Sequence, residues 1–134
     1  MSDTTVVRTE DAPASAYTFS QGIKKGEMLQ VSGQGAMDPA TNKYVAQGDV
    51  RGQTRRTLAN VKAILEAGGA TVGDVLMFRV YLTTRDDFAA MNDVYDQFIA
   101  ENVPSGQLPS RTTVFVGLPH EDMLVEIDAL AVTG

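Results

Sequence analysis

The residues that stand out for chemistry are charged side chains inside two apolar strands near the end of the chain. Arg111 opens one strand directly after Pro109 and Ser110, and Glu126 and Asp128 interrupt the apolar run LVEIDALAV. A carboxylate in such a strand is costly to bury without a partner, so it faces solvent, forms an ion pair or takes part in chemistry. For Arg111 or Glu126 alone, a solvent-exposed or ion-paired side chain is the commoner explanation.

Arg111 and Glu126 are more informative as a pair. A guanidinium fits a substrate carboxylate with two hydrogen bonds, and a nearby carboxylate orients a water or transfers a proton. Their strands follow one another along the chain, which favours an antiparallel hairpin with its loop near His120. In that register Glu126 lies opposite Thr113 and Val114 and shares a sheet face with Arg111, although a shift of one residue would separate the two.

The composition and motifs exclude most other kinds of site. The chain has no cysteine, which excludes disulfides, thiolate metal sites and a cysteine nucleophile. A single histidine, His120, would leave only carboxylates for a structural zinc site. The sequence contains no GxSxG, GxxxxGK[ST] or HExxH motif, and SGQGAM lacks the spacing and following helix of a dinucleotide-binding loop. These absences argue against a structural zinc site and against a nucleotide-binding loop.

Length and charge bound the class of protein. A chain of 134 residues with 43% apolar content predicts one globular domain spanning residues 1–134. The formal charge of −6 repels phosphate backbones, and the obvious basic residues of a helix are limited to Arg55, Arg56 and Lys62. No apolar run approaches the ~20 residues of a membrane span, and Met1–Ala12 is unlike a signal peptide. We predict a cytoplasmic protein that binds neither membranes nor nucleic acid.

Hydrophobic periodicity predicts the elements that must position these residues. A hairpin turn is expected at residues 24–27, and Asp49 and Gly68–Gly69 are expected to cap the first helix. The predicted elements are an edge strand at Thr4–Val7, strands on either side of the hairpin turn, a short strand from Tyr44, a helix to Ala67, a strand over Asp74–Thr83, a helix over about Arg85–Asn102, and strands over Arg111–Val116 and Leu124–Val132.

This order predicts an α+β sandwich in which two helices pack on one face of a mixed sheet of four to six strands. The strand Asp74–Thr83 shows the two faces by its alternation. We expect Leu76, Phe78, Val80 and Leu82 on the core face, and Val75, Met77, Arg79 and Tyr81 on the other. The second face carries Met and Tyr side chains that need a cover, so we expect an oligomer.

The chain also resembles the reactive intermediate deaminase family, whose members are also called YjgF-like or translation-inhibitor-like proteins. The resemblance runs from about Ala14 to Val132 and rests on the order and spacing of several segments. These segments are FSQG, VSGQ, QTRRTLANVKAILEAGGATVGDV, VYLTTRDDFAAMNDVYDQF, LPSRTTV and LVEIDALAV.

The resemblance implies a chorismate-mutase-like protomer in a homotrimer, with sheets facing a central barrel and ligand sites between subunits. The activity it implies is hydrolysis of enamine and imine intermediates, such as 2-aminoacrylate, to a 2-keto acid and ammonia without a cofactor. By the same resemblance, Arg111 corresponds to the arginine that binds the substrate carboxylate and Glu126 to the acid that positions water. Ser32 and Gly33 correspond to the segment whose backbone contacts the ligand.

Three further positions are carried over by the resemblance. Asn92 matches an asparagine of the second helix, for which a helix–loop hydrogen bond is as good an explanation as ligand contact. Phe19 and Thr113 stand where many members have tyrosine and cysteine, which changes the polarity of the implied pocket. Two other functions stay open: non-catalytic binding of a 2-keto acid or another carboxylate at Arg111, and the ribonuclease or translation-inhibitor role of some relatives, which the negative charge disfavours.

Overall fold

Residues 4–134, which the computed structural model describes, contain a six-stranded mixed sheet with two helices on one face, as predicted. The large sheet and a separate two-stranded ribbon use eight strands. The strands are β1 (Thr4–Val7), β2 (Gly22–Lys25), β3 (Met28–Gln34), β4 (Met37–Asp38), β5 (Lys43–Tyr44), β6 (Val75–Leu82), β7 (Ser110–Phe115) and β8 (Val125–Val132). The helices are α1 (Val50–Ala67) and α2 (Phe88–Asn102), and short 3₁₀ turns span Val72–Asp74 and Arg85–Asp87.

The ends of α1 follow from local sequence. The side chain of Asp49 accepts hydrogen bonds from the backbone N–H groups of Arg51 and Gly52, which would otherwise lack partners at the helix start. The helix ends before Gly68, and Gly69 has a φ of +83°, which glycine adopts without strain. The predicted helix and both its caps are confirmed. Neither helix of residues 4–134 combines the length and apolarity that a membrane crossing requires.

The order of strands differs from the predicted hairpin. The sheet runs β1-β2-β3-β8-β6-β7, so β8 lies in the middle and β7 lies at an edge. The β7 strand pairs only with β6 and runs parallel to it, because α2 carries the chain back between the two strands. The prediction that β7 and β8 form an antiparallel hairpin is therefore wrong. The β8 strand instead pairs antiparallel with both β3 and β6.

A bulge at the start of β6 changes which of its residues are buried. Val75 pairs with Ala131 and Met77 pairs with Leu130, so one extra residue stands between them. The alternation reverses at this point: Val75 is buried and Leu76 is 55% exposed. The predicted placement of these two residues is wrong. From Phe78 onward the predicted alternation of β6 is confirmed.

The face of the sheet away from the helices carries a polar network as well as apolar side chains. Arg79 and Tyr81 of β6 both donate hydrogen bonds to the carboxylate of Asp128 on β8, at 2.8 and 3.0 Å. Met77 and Leu130 lie on the same face. No helix of the described residues covers this open face, which therefore remains available for another polypeptide.

Candidate active site

A cavity of about 410 Å³ opens beside Glu126, at the point where β3 leaves its regular pairing with β8. The pairing shifts between Val31 and Gln34, so that the residues between them stand out of register. Phe19, Ser32, Gly33 and Glu126 all line this cavity. The structure thus brings together four of the residues predicted for the site, in what we call the Glu126 cleft.

Gly33 is required by the close approach of Glu126. A Cβ atom at position 33 would overlap a carboxylate oxygen of Glu126 and would lie 2.8 Å from its Cδ. The carboxyl group therefore rests against the backbone of the β3 bulge, and any side chain at this position would displace it. This geometry places the Glu126 carboxyl against the backbone at Gly33, the two positions to which the resemblance assigns water positioning and ligand contact.

The environment of Glu126 favours its protonated form. Burial, and secondly the negative charge of Asp128, raises the pKa of the Glu126 carboxyl above its usual range. Asp128 lies two residues further along β8 on the same face, where Arg79 and Tyr81 hold its carboxylate. No lysine or arginine of the described residues forms an ion pair with Glu126. A half-buried carboxyl whose pKa is raised toward neutral pH is suited to taking up and returning a proton.

Ser32 has a structural hydrogen bond in this arrangement. Its hydroxyl donates to the carbonyl of Ser20 at 2.6 Å, and its backbone N–H donates to the carbonyl of Gln21 at 2.9 Å. Both bonds fasten the segment that carries Phe19 to the bulge of β3. The Ser32 side chain therefore shapes the cleft, and the backbone of this segment remains the part available to a ligand.

Arg111 lies in a second location, which we call the Arg111 corner. Its guanidinium carbon is 4.7 Å from the ring centroid of Tyr95 and 6.0 Å from that of Phe88, both on α2. Burial raises the pKa of Tyr95 to about 12, although the charge of Arg111 opposes this change. Within residues 4–134 no carboxylate pairs with Arg111. The corner thus presents a guanidinium that packs on aromatic rings.

Asn92 and Thr113 contribute polar atoms to the same side of the sheet. Asn92 lies one turn from both Phe88 and Tyr95 on α2, and Thr113 follows Arg111 by two residues on β7. The Asn92 Oδ1 and Thr113 Oγ1 atoms are buried and have no hydrogen-bond partner. Buried polar atoms are seldom left unpaired, and Thr57 Oγ1 on α1 is unpaired as well, so these atoms do not by themselves identify a ligand site.

The Arg111 corner and the Glu126 cleft lie on opposite faces of the sheet within one chain. Arg111 is aligned with Phe78, which faces the helices, whereas Glu126 is aligned with Tyr81 on the open face. The predicted shared face is therefore wrong. The physical reason is the parallel pairing of β7 with β6, which places β6 between the two residues and sets their side chains on different sides.

The sequence reasoning missed the aromatic and thioether side chains that surround these halves. Tyr17, Tyr44 and Met123 line the Glu126 cleft. A tyrosine in the polar turn segment TNKYVAQG was the available signal for Tyr44. Tyr95 has the spacing of an ordinary core residue in α2, so nothing in the sequence distinguished its contact with Arg111. Among the described residues, no three His, Asp or Glu side chains are grouped to hold a metal ion.

Comparisons with known proteins agree with this architecture. Residues 9–133 match the family model described as Endoribonuclease L-PSP. The chain is 43% identical over 126 residues to a RutC family protein of Pyrococcus horikoshii, covering 94% of this chain and 95% of that protein. It is 39% identical to the 2-iminobutanoate/2-iminopropanoate deaminase of Escherichia coli K12, with the same 94% and 95% coverage of this chain and the relative.

Solved structures show the same likeness. The crystal structure of Escherichia coli TdcF with bound serine superposes with a TM-score of 0.89 at 39% identity, covering 97% of this chain and 99% of TdcF. The YjgF gene product of Escherichia coli superposes with a TM-score of 0.88 at 40% identity, covering 96% of this chain and 98% of that protein. The chain therefore belongs to the endoribonuclease L-PSP family, the same family of YjgF-like reactive intermediate deaminases that its sequence resembles.

Proposed function

We propose that this chain hydrolyses 2-imino acids to 2-keto acids and ammonia in clefts between the subunits of a homotrimer. The deaminase activity is supported by relatives that are named imine deaminases at about 40% identity. The observation that carries the rest is the separation of the site into two incomplete halves. Arg111 forms no ion pair with a carboxylate of the described residues, and Glu126 lies on the opposite face of the sheet, where burial raises its pKa.

A second copy of the chain is the simplest source of the missing half. A homotrimer places identical surfaces head to tail around a threefold axis, so that one surface of each subunit meets a different surface of the next. The Arg111 corner of one subunit then faces the Glu126 cleft of its neighbour. The exposed apolar side chains support such an assembly, since Met28 and Leu76 are each 55% exposed and Leu108 is 77% exposed.

The residues supply the steps that hydrolysis of an imino acid needs. Arg111 of one subunit binds the substrate carboxylate with two charge-assisted hydrogen bonds and thereby fixes the position of the imine carbon. The substrate reacts as its iminium ion, which carries the extra proton on nitrogen. Ionised Glu126 of the neighbour takes a proton from a water as the water oxygen attacks the imine carbon, which gives a carbinolamine. Glu126 gives this proton to the amino nitrogen and takes the proton of the new hydroxyl as the C–N bond breaks. The products are a 2-keto acid and ammonia, and Glu126 passes its last proton to ammonia, which regenerates the carboxylate.

The surface does not favour action on nucleic acid, although the family model is described as an endoribonuclease. Of the arginines on α1, Arg51 forms an ion pair with Asp93, and Arg56 donates to the side chain of Asn60. A chain with a charge of −6 and few unengaged cations on this helix is a poor match for a phosphate backbone. A cytoplasmic location remains a proposal from the sequence.

A coupled assay tests the activity. A PLP-dependent dehydratase generates the imino acid, and keto-acid release is timed with and without this protein. We expect the wild-type protein to accelerate keto-acid release. Arg111→Ala should lower kcat/KM roughly ten- to a hundredfold, because a charge-assisted pair contributes about 1.5–3 kcal/mol. Arg111→Lys recovers only part of this loss, since an ammonium cannot form the planar two-pronged contact. Glu126→Gln lowers kcat while carboxylate binding is nearly unchanged.

Matched controls make the same kind of charge change at residues outside the proposed site. Arg51→Ala and Glu66→Gln alter exposed residues of α1 and should leave turnover unchanged. Sedimentation should give a trimer of about 43 kDa from chains of 14.4 kDa. A stable monomer would contradict the intersubunit site. If the folded Arg111→Ala and Glu126→Gln proteins turn over substrate at the wild-type rate, the catalytic roles are wrong. If the wild-type protein binds carboxylates but does not accelerate keto-acid release, non-catalytic carboxylate binding is favoured instead.

A further inference from the structure

The Glu126 cleft of each chain is lined mainly by apolar side chains. We infer that its preferred substrates are 2-imino acids with large apolar side chains, and that the ring of Tyr44 is the residue that sets this preference. This inference rests on the proposed function, because it concerns the same reaction at the same cleft. It differs from the substrates in the names of the relatives, 2-iminobutanoate and 2-iminopropanoate.

The size of the cleft is the first observation. Its volume of about 410 Å³ falls within the range of pockets that enclose drug-sized ligands, ~300–1,000 Å³. This is the volume of the cleft in one chain, and the neighbouring subunit of the proposed trimer closes it. A longer apolar side chain covers more of the apolar wall than a methyl group does, which is favourable in proportion to the area buried.

The state of the polar groups in the cleft is the second observation. The hydroxyl of Ser32 donates to the carbonyl of Ser20. The amide nitrogen of Gln34 donates to the carbonyls of Ser32 and Gly33 at 3.2 and 3.4 Å. These donors are already engaged with backbone, so they do not select a polar substrate side chain. The other polar side-chain groups of the wall are the carboxyl of Glu126, which the reaction uses, and the hydroxyls of Ser15, Tyr17 and Tyr44. The rest of the lining side chains are rings, thioethers, prolines and alanines.

Tyr44 forms a fixed part of this wall. The β4–β5 ribbon places its ring over Gly35, where an added Cβ would lie 3.2 Å from Tyr44 Cε1 and 2.9 Å from the terminal methyl of Met123. The ring of His120 packs against Tyr44 with 4.6 Å between centroids and 33° between planes. The hydroxyl of Tyr44 forms no hydrogen bond with the described residues. The side chain therefore offers both its ring and an unengaged hydroxyl to a ligand, and the Tyr44→Phe variant separates the two.

Two further rings remain exposed at the same cleft. Phe19 is 49% exposed and Tyr17 is 82% exposed. Both line the cavity together with Tyr44, so an apolar substrate side chain would contact three aromatic rings from two segments of the chain. Such a cluster of exposed rings is unfavourable in water and indicates a surface that binds apolar groups.

A series of straight-chain substrates tests the preference. An amino-acid oxidase with catalase produces 2-iminopropanoate from alanine and 2-iminohexanoate from norleucine, and keto-acid release is measured with the trimeric protein. Each buried methylene contributes about fourfold, so three methylenes give up to roughly 60-fold in kcat/KM. A preference of about tenfold or more for 2-iminohexanoate supports the inference, and any smaller ratio overturns it.

Variants test the part assigned to Tyr44. Tyr44→Ala should lower the preference for 2-iminohexanoate at least about fivefold, mainly through a higher KM for this substrate. Tyr44→Phe is the matched control, because it keeps the ring and should keep the preference. Phe19→Ala gives a second test of the apolar wall at an exposed position, should Tyr44→Ala fail to fold. An unchanged preference in the folded Tyr44→Ala protein, or in Phe19→Ala if Tyr44→Ala does not fold, overturns the assignment.

The outcomes separate this inference from the proposed function. If the wild-type protein hydrolyses neither imino acid, the proposed deaminase function is wrong and the substrate preference with it. If it hydrolyses 2-iminopropanoate at least as well as 2-iminohexanoate, only the substrate preference is wrong. Equal loss of both activities in Tyr44→Phe would show that the hydroxyl acts in the chemistry, which would overturn the role of the ring as an apolar wall.

Discussion

The variants Arg111→Ala and Glu126→Gln should restore each other's activity in mixed trimers if the site lies between subunits. Arg111→Ala removes the proposed carboxylate-binding group, and Glu126→Gln removes the proposed proton carrier. The two residues lie on opposite faces of the sheet in one chain, so a site that contains both takes them from two subunits. In a mixed trimer, however, a Glu126→Gln subunit still supplies Arg111, and an adjacent Arg111→Ala subunit still supplies Glu126.

The size of the restoration follows from this arrangement. In trimers assembled at random from equal amounts of the two variants, about half of the subunits supply an intact Arg111 and about half of their neighbours supply an intact Glu126. About a quarter of the sites therefore contain both groups. Arg111→Ala alone is expected to retain roughly 1–10% of the wild-type kcat/KM, and Glu126→Gln about 1% or less because a general base contributes about 10²–10⁴-fold. The mixture should therefore clearly exceed either parent.

The assay mixes the two proteins, unfolds them in urea, refolds them together and measures keto-acid release per subunit. Each variant is unfolded and refolded alone as the control, and sedimentation verifies that all samples are trimeric. Activity near a quarter of the wild-type value agrees with a site shared between neighbours. Activity no higher than the mean of the two parents, in mixtures shown to contain hybrid trimers, would refute the shared site.

Three further predictions concern Glu126 and its surroundings. Gly33→Ala places a methyl group on the Glu126 carboxylate, so kcat should fall and urea denaturation should show a loss of about 1–3 kcal/mol. Asp128→Asn removes a charge that raises the pKa of Glu126, so the acidic limb of the kcat/KM–pH profile should move to lower pH. Because that raised pKa makes ionisation of Glu126 oppose folding, Glu126→Gln should increase stability against urea at pH 7, and this gain should disappear as the pH falls below the ordinary glutamate pKa of ~4.3. An acidic limb that stays in place, or a Glu126→Gln protein less stable than wild type at pH 7, would contradict the environment described for this carboxyl.

Local sequence determined the elements and the types of residue in the site. The cap at Asp49 and the left-handed glycine at Gly69 set the limits of α1 because they act within a few residues of the helix ends. Gly26, with a φ of +57°, ends β2 and allows β3 to follow in a tight turn. Arg111 and Glu126 were recognisable because charged residues are unusual in apolar strands.

Only the tertiary structure decided where those residues lie relative to one another. Pairing between strands depends on contacts across the whole chain, so the order of strands along the sequence did not reveal that β7 pairs with β6 and not with β8. The bulge between Val75 and Met77 likewise arises from pairing with β8, and it reverses an alternation that the sequence alone shows as regular. Since the side chains of a strand alternate between two faces, these pairings put Arg111 on one face and Glu126 on the other, and so divide the site into two halves.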